Sequence, residues 1–251
     1  MRKNILIFAD GTGNESGLLP DESRTNVYKL FRATRTGPDT TIDPEKQIAF
    51  YIPGVGTPGV TPPSLRKRMW KGIEQAVGGG LTSQIVDCYT AIISVWAPGD
   101  RIYLFGFSRG AYCVRCVAHV LEVIGIPTTE VSGEHLSLEP RSLRSIAKAA
   151  VTTLYRLGLP QPNEVKRSKN AATFRRVHNC KTGGDSGAIP FVVCIWDAVG
   201  AVGWLHFGVS ALVRRLPFVG KHYDLHFPPD IQFARHAMAI DELRRECEPG
   251  I

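Results

Sequence analysis

No apolar run in this 251-residue chain approaches the roughly 18 residues needed to cross a bilayer. The N-terminal stretch MRKNILIFADGTG joins basic residues to an apolar run of only about five, which stops at Asp10 and is too short for the core of a secretory signal. A cytoplasmic protein is therefore expected. The cysteines, at 88, 113, 116, 180, 194 and 247, lack the regular spacing of a disulfide framework, which suits a reducing compartment. Cys113 and Cys116 form a C-x-x-C inside a helical stretch, and His178 with Cys180 is all that could complete a zinc site. They are expected as small buried residues instead. A P-loop is missing too. GVGTPG, from Gly54 to Gly59, matches G-x-G-x-x-G, but Pro58, Pro62 and Pro63 stand where a nucleotide-binding helix must open. No cofactor and no metal is expected.

Charge excludes less. The net value is +7, but the basic residues are scattered in short groups such as Arg66 to Arg68 and Arg214–Arg215. A long basic tail, a zinc finger or an RNP-like motif is absent, so nucleic acid is not an expected partner. Apolar residues make up 43% of the chain, enough for a sizeable core.

What the sequence does contain is an alternation of strand-like and helix-like runs. NILIFAD (Asn4 to Asp10), QIAFYIPG (Gln47 to Gly54), RIYLFGF and IPFVVCIWDAVG (Ile189 to Gly200) read as strands. Helical spacing runs from about Asn26 to Arg35, through LTSQIVDCYTAIISVW, and after Ser108. Pro98 and Gly99 stop the second of these. This is the pattern of a mostly parallel sheet with crossover helices. About 128–189 breaks the rhythm, being polar, partly helical and without a good strand. It is expected as an insertion, a cap on a single domain spanning 1–251. DIQFARHAMAIDELRREC reads as a last helix.

The chemistry centres on DRIYLFGFSRGAY, Asp100 to Tyr112. A serine between two glycines, after a strand and before a helix, is the sequence pattern of a nucleophile elbow, where a sharp turn exposes the hydroxyl above the sheet. The competing expectation is an ordinary turn in which Ser108 caps the helix. In an open α/β sheet, residues just past the strand C-termini line one crevice. Asp10, Ser108 and Asp197 all fall at such ends. Ser108 is the candidate nucleophile and Asp197 the acid that orients a histidine base, in the chain order of α/β-hydrolases. Candidates for the base are His206, His222, His226 and His236, with His236 chosen although it falls in the expected last helix. Backbone N–H groups of Arg109 and of Gly11 or Thr12 are candidates for an oxyanion hole. The D-G-T of Asp10 to Thr12 also occurs in haloacid-dehalogenase-like phosphatases, but Phe8 stands where that mechanism needs a nucleophilic Asp.

FADGTGN, YIPGVGT, GFSRGAY, WDAVGAVG and HAMAIDELRR, in this order, resemble a bacterial family of largely uncharacterised α/β-hydrolases. Its best-understood members are phospholipase effectors of type VI secretion systems. The resemblance spans Ile5 to about Arg245 and implies an ester-hydrolysing α/β-hydrolase fold, with Ser108 as nucleophile and Asp197 as acid. It implies an ester or lipid substrate and a transient contact with a membrane surface, and delivery by a secretion system on resemblance alone. Family members continue into a further strand and a block reading like G-V-H-S-D-V-G-G, where this chain stops at CEPGI. On that pattern the sheet is expected to lack its last strand or strands. Two functions follow: a serine esterase or lipase, or a truncated, inactive hydrolase-fold protein that binds or regulates.

Overall fold

The computed structural model describes residues 2–11, 24–54, 79–155, 164–198 and 228–238. Strand β1 (Asn4–Ala9) is a run of Ile, Leu and Phe, buried from Ile5 onward. Strands of this kind, apolar on both faces, belong in the middle of a parallel sheet. β1 lies between β2 (Gln47–Ile52) and β3 (Arg101–Phe107), parallel to both, and β4 (Val192–Trp196) and β5 (Phe233–Ala237) continue the sheet in the order β2-β1-β3-β4-β5.

Helix α1 (Asn26–Thr34) is capped by Thr25, whose Oγ1 accepts from the Tyr28 N–H at 3.1 Å. Helix α2 (Gly79–Val95) leads through a turn with Gly99 at φ 92° into β3, and α3 (Arg109–Val123) leaves β3 at once. Two more helices, α4 (Pro140–Leu154) and α5 (Glu164–Val177), come from the segment expected as an insertion. α4 packs chiefly on α2, with Arg144 paired to Asp87, and α5 packs on α4. This part of the segment thus adds a second helical layer behind one face of the sheet.

The two faces differ in chemistry. On one, Ile5, Ile7, Ile102, Leu104, Val193 and Ile195 meet the apolar sides of α2, α3 and α4, and Cys88, Cys113 and Cys116 are buried among them. On the other, Leu6, Phe8 and Val27 pack with Phe31, Tyr51, Phe105 and Trp196 under α1. Phe8 and Phe105, cross-strand partners, stack with ring centroids 4.7 Å apart.

The last element corrects an expectation. Phe233–Ala237, expected within a helix, is the edge strand β5. Its backbone hydrogen-bonds to β4 along Val192↔Phe233 to Trp196↔Ala237. Local helical spacing is a weak preference, and an available sheet edge overrides it. Residues 239–247 of that expected helix lie outside the described part.

Candidate active site

The register puts the chemistry on one level. Ala9, Gly106, Ile195 and His236 form a row across four adjacent strands. Two residues further along their chains stand Gly11, Ser108 and Asp197. Ser108 donates its N–H to Trp196 O at 3.0 Å, and Asp197 donates its own to Ala237 O at 2.9 Å. The strand ends therefore stay tied beyond the sheet proper.

Ser108 has φ 53° and ψ −118°, a conformation that an L-residue adopts at a cost of about 1–3 kcal/mol. It stands at the N-cap position of α3, yet its side chain makes no capping hydrogen bond. The ordinary-cap expectation is therefore corrected: a capping serine keeps extended φ/ψ and bonds the first turn. The flanking glycines make the turn feasible. A Cβ on Gly106 would lie 2.5 Å from Gly110 O, and one on Gly110 would lie 2.1 Å from Ala9 O. Helix α3 sits directly on β1 and β3, and no larger residue fits at either point.

Three non-glycine residues have positive φ among the described residues: Ser108, Asn179 and Asp197. Two of the three are the expected nucleophile and acid. Strain of this kind concentrates at functional sites, because packing must hold it in place. Asp197 is half-buried at φ 43°, one strand away from Ser108.

Arg109 opens α3, whose first-turn N–H groups have no acceptors within the helix. Burial pushes its guanidinium down to about 10, so it remains a cation at neutral pH. Gly11 stands against Ser108, since a Cβ there would lie 3.1 Å from Ser108 Cβ. Its N–H, however, is donated to Asp10 Oδ1 at 2.7 Å. As an oxyanion donor, Gly11 would first have to give up that bond. Thr12, His206, His222 and His226 lie outside the described residues.

His236 projects from exposed β5, level with Ile195, and its Nε2 accepts from the Ala198 N–H at 3.4 Å. Two strand spacings, roughly 9–10 Å, separate β5 from β3. Among the described residues the structure brings together Ser108, Gly11 and Asp10, and it sets Asp197 and His236 on the next two strands without a hydrogen bond from His236 to Ser108.

In the sequence Asp10 stands at a strand end with nothing local to mark its partners. Its buried carboxylate accepts from Gly11, from Thr25 Oγ1 at 2.6 Å and from Tyr51 OH at 2.7 Å, while its carbonyl accepts from Gln84 Nε2 at 3.0 Å. Desolvation raises the carboxyl above its usual 3.8 despite the three donors that favour the charged form. Thr25, Tyr51 and Gln84 carried one sequence signal between them, Thr25 just ahead of a helical run. A separate cavity of about 730 Å³ lies against α2, α4 and α5, with Lys148, Tyr155, Phe174 and His178 in its wall.

A family model described as the type VI secretion system phospholipase effector Tle1-like catalytic domain matches residues 3–251. The chain belongs to this family. The Tle1-like domain here is also 26% identical over 254 aligned residues to an uncharacterized protein of Saccharomyces cerevisiae, covering 96% of this chain and 31% of that protein. The expected bacterial family thus has a yeast relative. Among solved structures, the Tle1 effector bound to the VgrG spike from the type 6 secretion system aligns at 17% identity and TM-score 0.42, over 94% of this chain and 44% of that one. An uncharacterized protein from Pseudomonas aeruginosa aligns at 14% identity and TM-score 0.38, over 94% and 36%. The Tle1-like chain spans about a third of the yeast protein and less than half of each solved chain. No helix among the described residues is long and apolar enough to cross a membrane.

Proposed function

We propose that this domain is a serine hydrolase of carboxylic esters, with lipid esters as its substrate class. The observation that supports this most is the backbone of Ser108. A hydroxyl-bearing residue is held at φ 53° between two glycines that admit no Cβ, and it caps nothing. Membership in the phospholipase effector-like family supplies the substrate class.

In this mechanism Ser108 Oγ attacks the ester carbonyl while a histidine takes its proton. The same histidine then protonates the leaving alcohol, and water releases the acyl group from Ser108 by the reverse sequence. The developing oxyanion accepts from the Arg109 N–H, at the positive end of the α3 dipole, and from a second amide of the loop after β1. That second donor is Thr12, or Gly11 once released from Asp10. Asp197, at the end of the neighbouring strand, orients the histidine. The base is His206, His222, His226 or His236. The +7 charge and the aromatic segment from Trp204 to Phe227 suit a transient contact with an anionic membrane surface.

A fluorophosphonate probe, which reacts with a serine activated by a working base, tests this directly. Wild type is expected to label and Ser108→Ala to stay blank. Label retained at the wild-type rate in Ser108→Ala removes the nucleophile assignment. A folded wild-type chain that takes no label points instead to a binding or regulatory role. Substituting each histidine by Gln then identifies the base by a loss of about a thousandfold or more in rate.

A further inference from the structure

We propose that Asp10 is a positioning residue for Ser108: its buried carboxylate fixes the turn that forms the wall beside the nucleophile. The proposal rests on Ser108 being the nucleophile. It begins with how many elements meet at one side chain. Asp10 is 1% exposed, and its two oxygens are used differently. Oδ2 accepts from two hydroxyls, Thr25 Oγ1 at the N-cap of α1 and Tyr51 OH at the end of β2. Among the described residues, Oδ1 accepts from the Gly11 N–H alone. The hydroxyls anchor the carboxylate, and the anchored carboxylate then aims the Asp10–Gly11 peptide. From the other side, Gln84 Nε2 donates to the carbonyls of Asp10 and Pro53, at 3.0 and 3.2 Å, and so ties the same turn to α2.

The far side of this knot is the elbow. A Cβ on Gly11 would stand 2.9 Å from the Phe107 ring and 3.1 Å from Ser108 Cβ. A Cβ on Gly110, the second residue of α3, would stand 2.8 Å from Asp10 O. The backbone that Asp10 orients is therefore in contact with the residues on both sides of Ser108. Asp10 itself touches no reacting atom and acts through Gly11. Merely closing a turn does not require a carboxylate, because an Asn or Ser does so without desolvating a charge. A charge bonded by three donors fixes a peptide plane more stiffly than neutral groups do. A misplacement of about 1 Å beside a nucleophile can lower a rate a hundredfold. Asp10 also decides which amides are open to an oxyanion, since it occupies that of Gly11.

Asp10→Ala, Asp10→Asn and Tyr51→Phe, compared with wild type on a soluble short-chain ester, separate positioning from folding. Asp10→Ala is expected to lose roughly 30–100-fold in kcat and in fluorophosphonate labelling rate, with KM changed less than about threefold. Asp10→Asn, which keeps an oxygen for Gly11, is expected to recover to within about fivefold of wild type. If Asp10→Ala fails to fold, Tyr51→Phe carries the test through a drop of about threefold or more in kcat at unchanged KM. A folded Asp10→Ala with kcat within twofold of wild type, or a Tyr51→Phe with none of this drop, overturns the proposal. If wild type shows neither label nor turnover, the hydrolase function fails separately. Asp10 is then judged on the backbone amide resonances of Gly11 and Ser108: both moving in Tyr51→Phe supports positioning, and an unmoved Ser108 overturns it.

Discussion

The turns after β1 and after β3 lie side by side, and they spend folding energy in opposite currencies. At the β3 end the strain is in the backbone: Ser108 holds φ 53° while its side chain makes no capping hydrogen bond. At the β1 end the cost is electrostatic. Asp10 is a buried carboxylate whose three donors do not fully offset desolvation. The elbow is a steric device, in which glycines clear the space and helix α3 locks the turn. The Asp10 turn is a polar device, in which hydroxyls and an amide converge on one charge. The difference matters because a steric constraint leaves the hydroxyl of Ser108 available for chemistry, whereas a hydrogen-bonded one consumes every group it uses. The proposed nucleophile stands on the first kind of turn and its proposed support on the second.

Breaking the steric side should have the largest effect. Gly110→Ala drives a Cβ to 2.1 Å from a backbone oxygen that cannot retreat without moving β1. A loss of about 3 kcal/mol in stability is expected, read as a lower urea midpoint. A midpoint within experimental error of wild type would mean that α3 can slide away from β1 freely. Relieving the strain should act the other way and less strongly. Ser108→Gly is expected to raise stability by about 1 kcal/mol or more while abolishing any activity, and Ser108→Ala to abolish activity with no such gain. Equal stability in the two variants would show that the turn is not strained.

The polar side should give the gentlest signal, a tilt with pH. A folded-state carboxyl raised above 3.8 binds its proton more readily than the same group in the unfolded chain. Its contribution to stability is therefore fully present below pH 3.8 and is lost as pH rises through the raised value. Wild type minus Asp10→Asn, followed by denaturant unfolding across pH 3 to 7, should fall with rising pH. A difference that is flat or rises would show that the hydrogen bonds outweigh desolvation.

The elbow was legible in the sequence because each part of it is a residue identity at a fixed spacing. Gly106 and Gly110 encode close approach, and Ser108 between them encodes the apex. The parallel sheet was legible from the strand runs, and so was the position of Asp197 just past a strand end. The knot at Asp10 was not, because Thr25, Tyr51 and Gln84 reach it over 15, 41 and 74 residues of chain. Nothing local marks a tyrosine at the end of β2 as the partner of a carboxylate on β1. The same limit explains β5. Its helical spacing is local, but its strand pairing depends on the open edge of β4, which exists only in the folded sheet. For Gly11 the sequence suggested a free amide, and the carboxylate of the residue before it took that amide.

The central position of β1 sets a timetable for synthesis. Asn4 pairs with Arg101, and Lys3 donates to both carboxylate oxygens of Asp100, from its N–H at 3.0 Å and its Nζ at 2.5 Å. At about 5–20 residues per second, the first strand leaves the ribosome roughly 5–20 s before the strand that completes its hydrogen bonds on that side. During that interval the apolar run Ile5 to Ala9 has β2 as its neighbour and nothing on its other edge, the state in which a nascent chain is most prone to capture by chaperones or to aggregation. The same strand that ends this exposure carries Ser108 at its tip, so the strained turn takes its place in the step that makes the young chain safe.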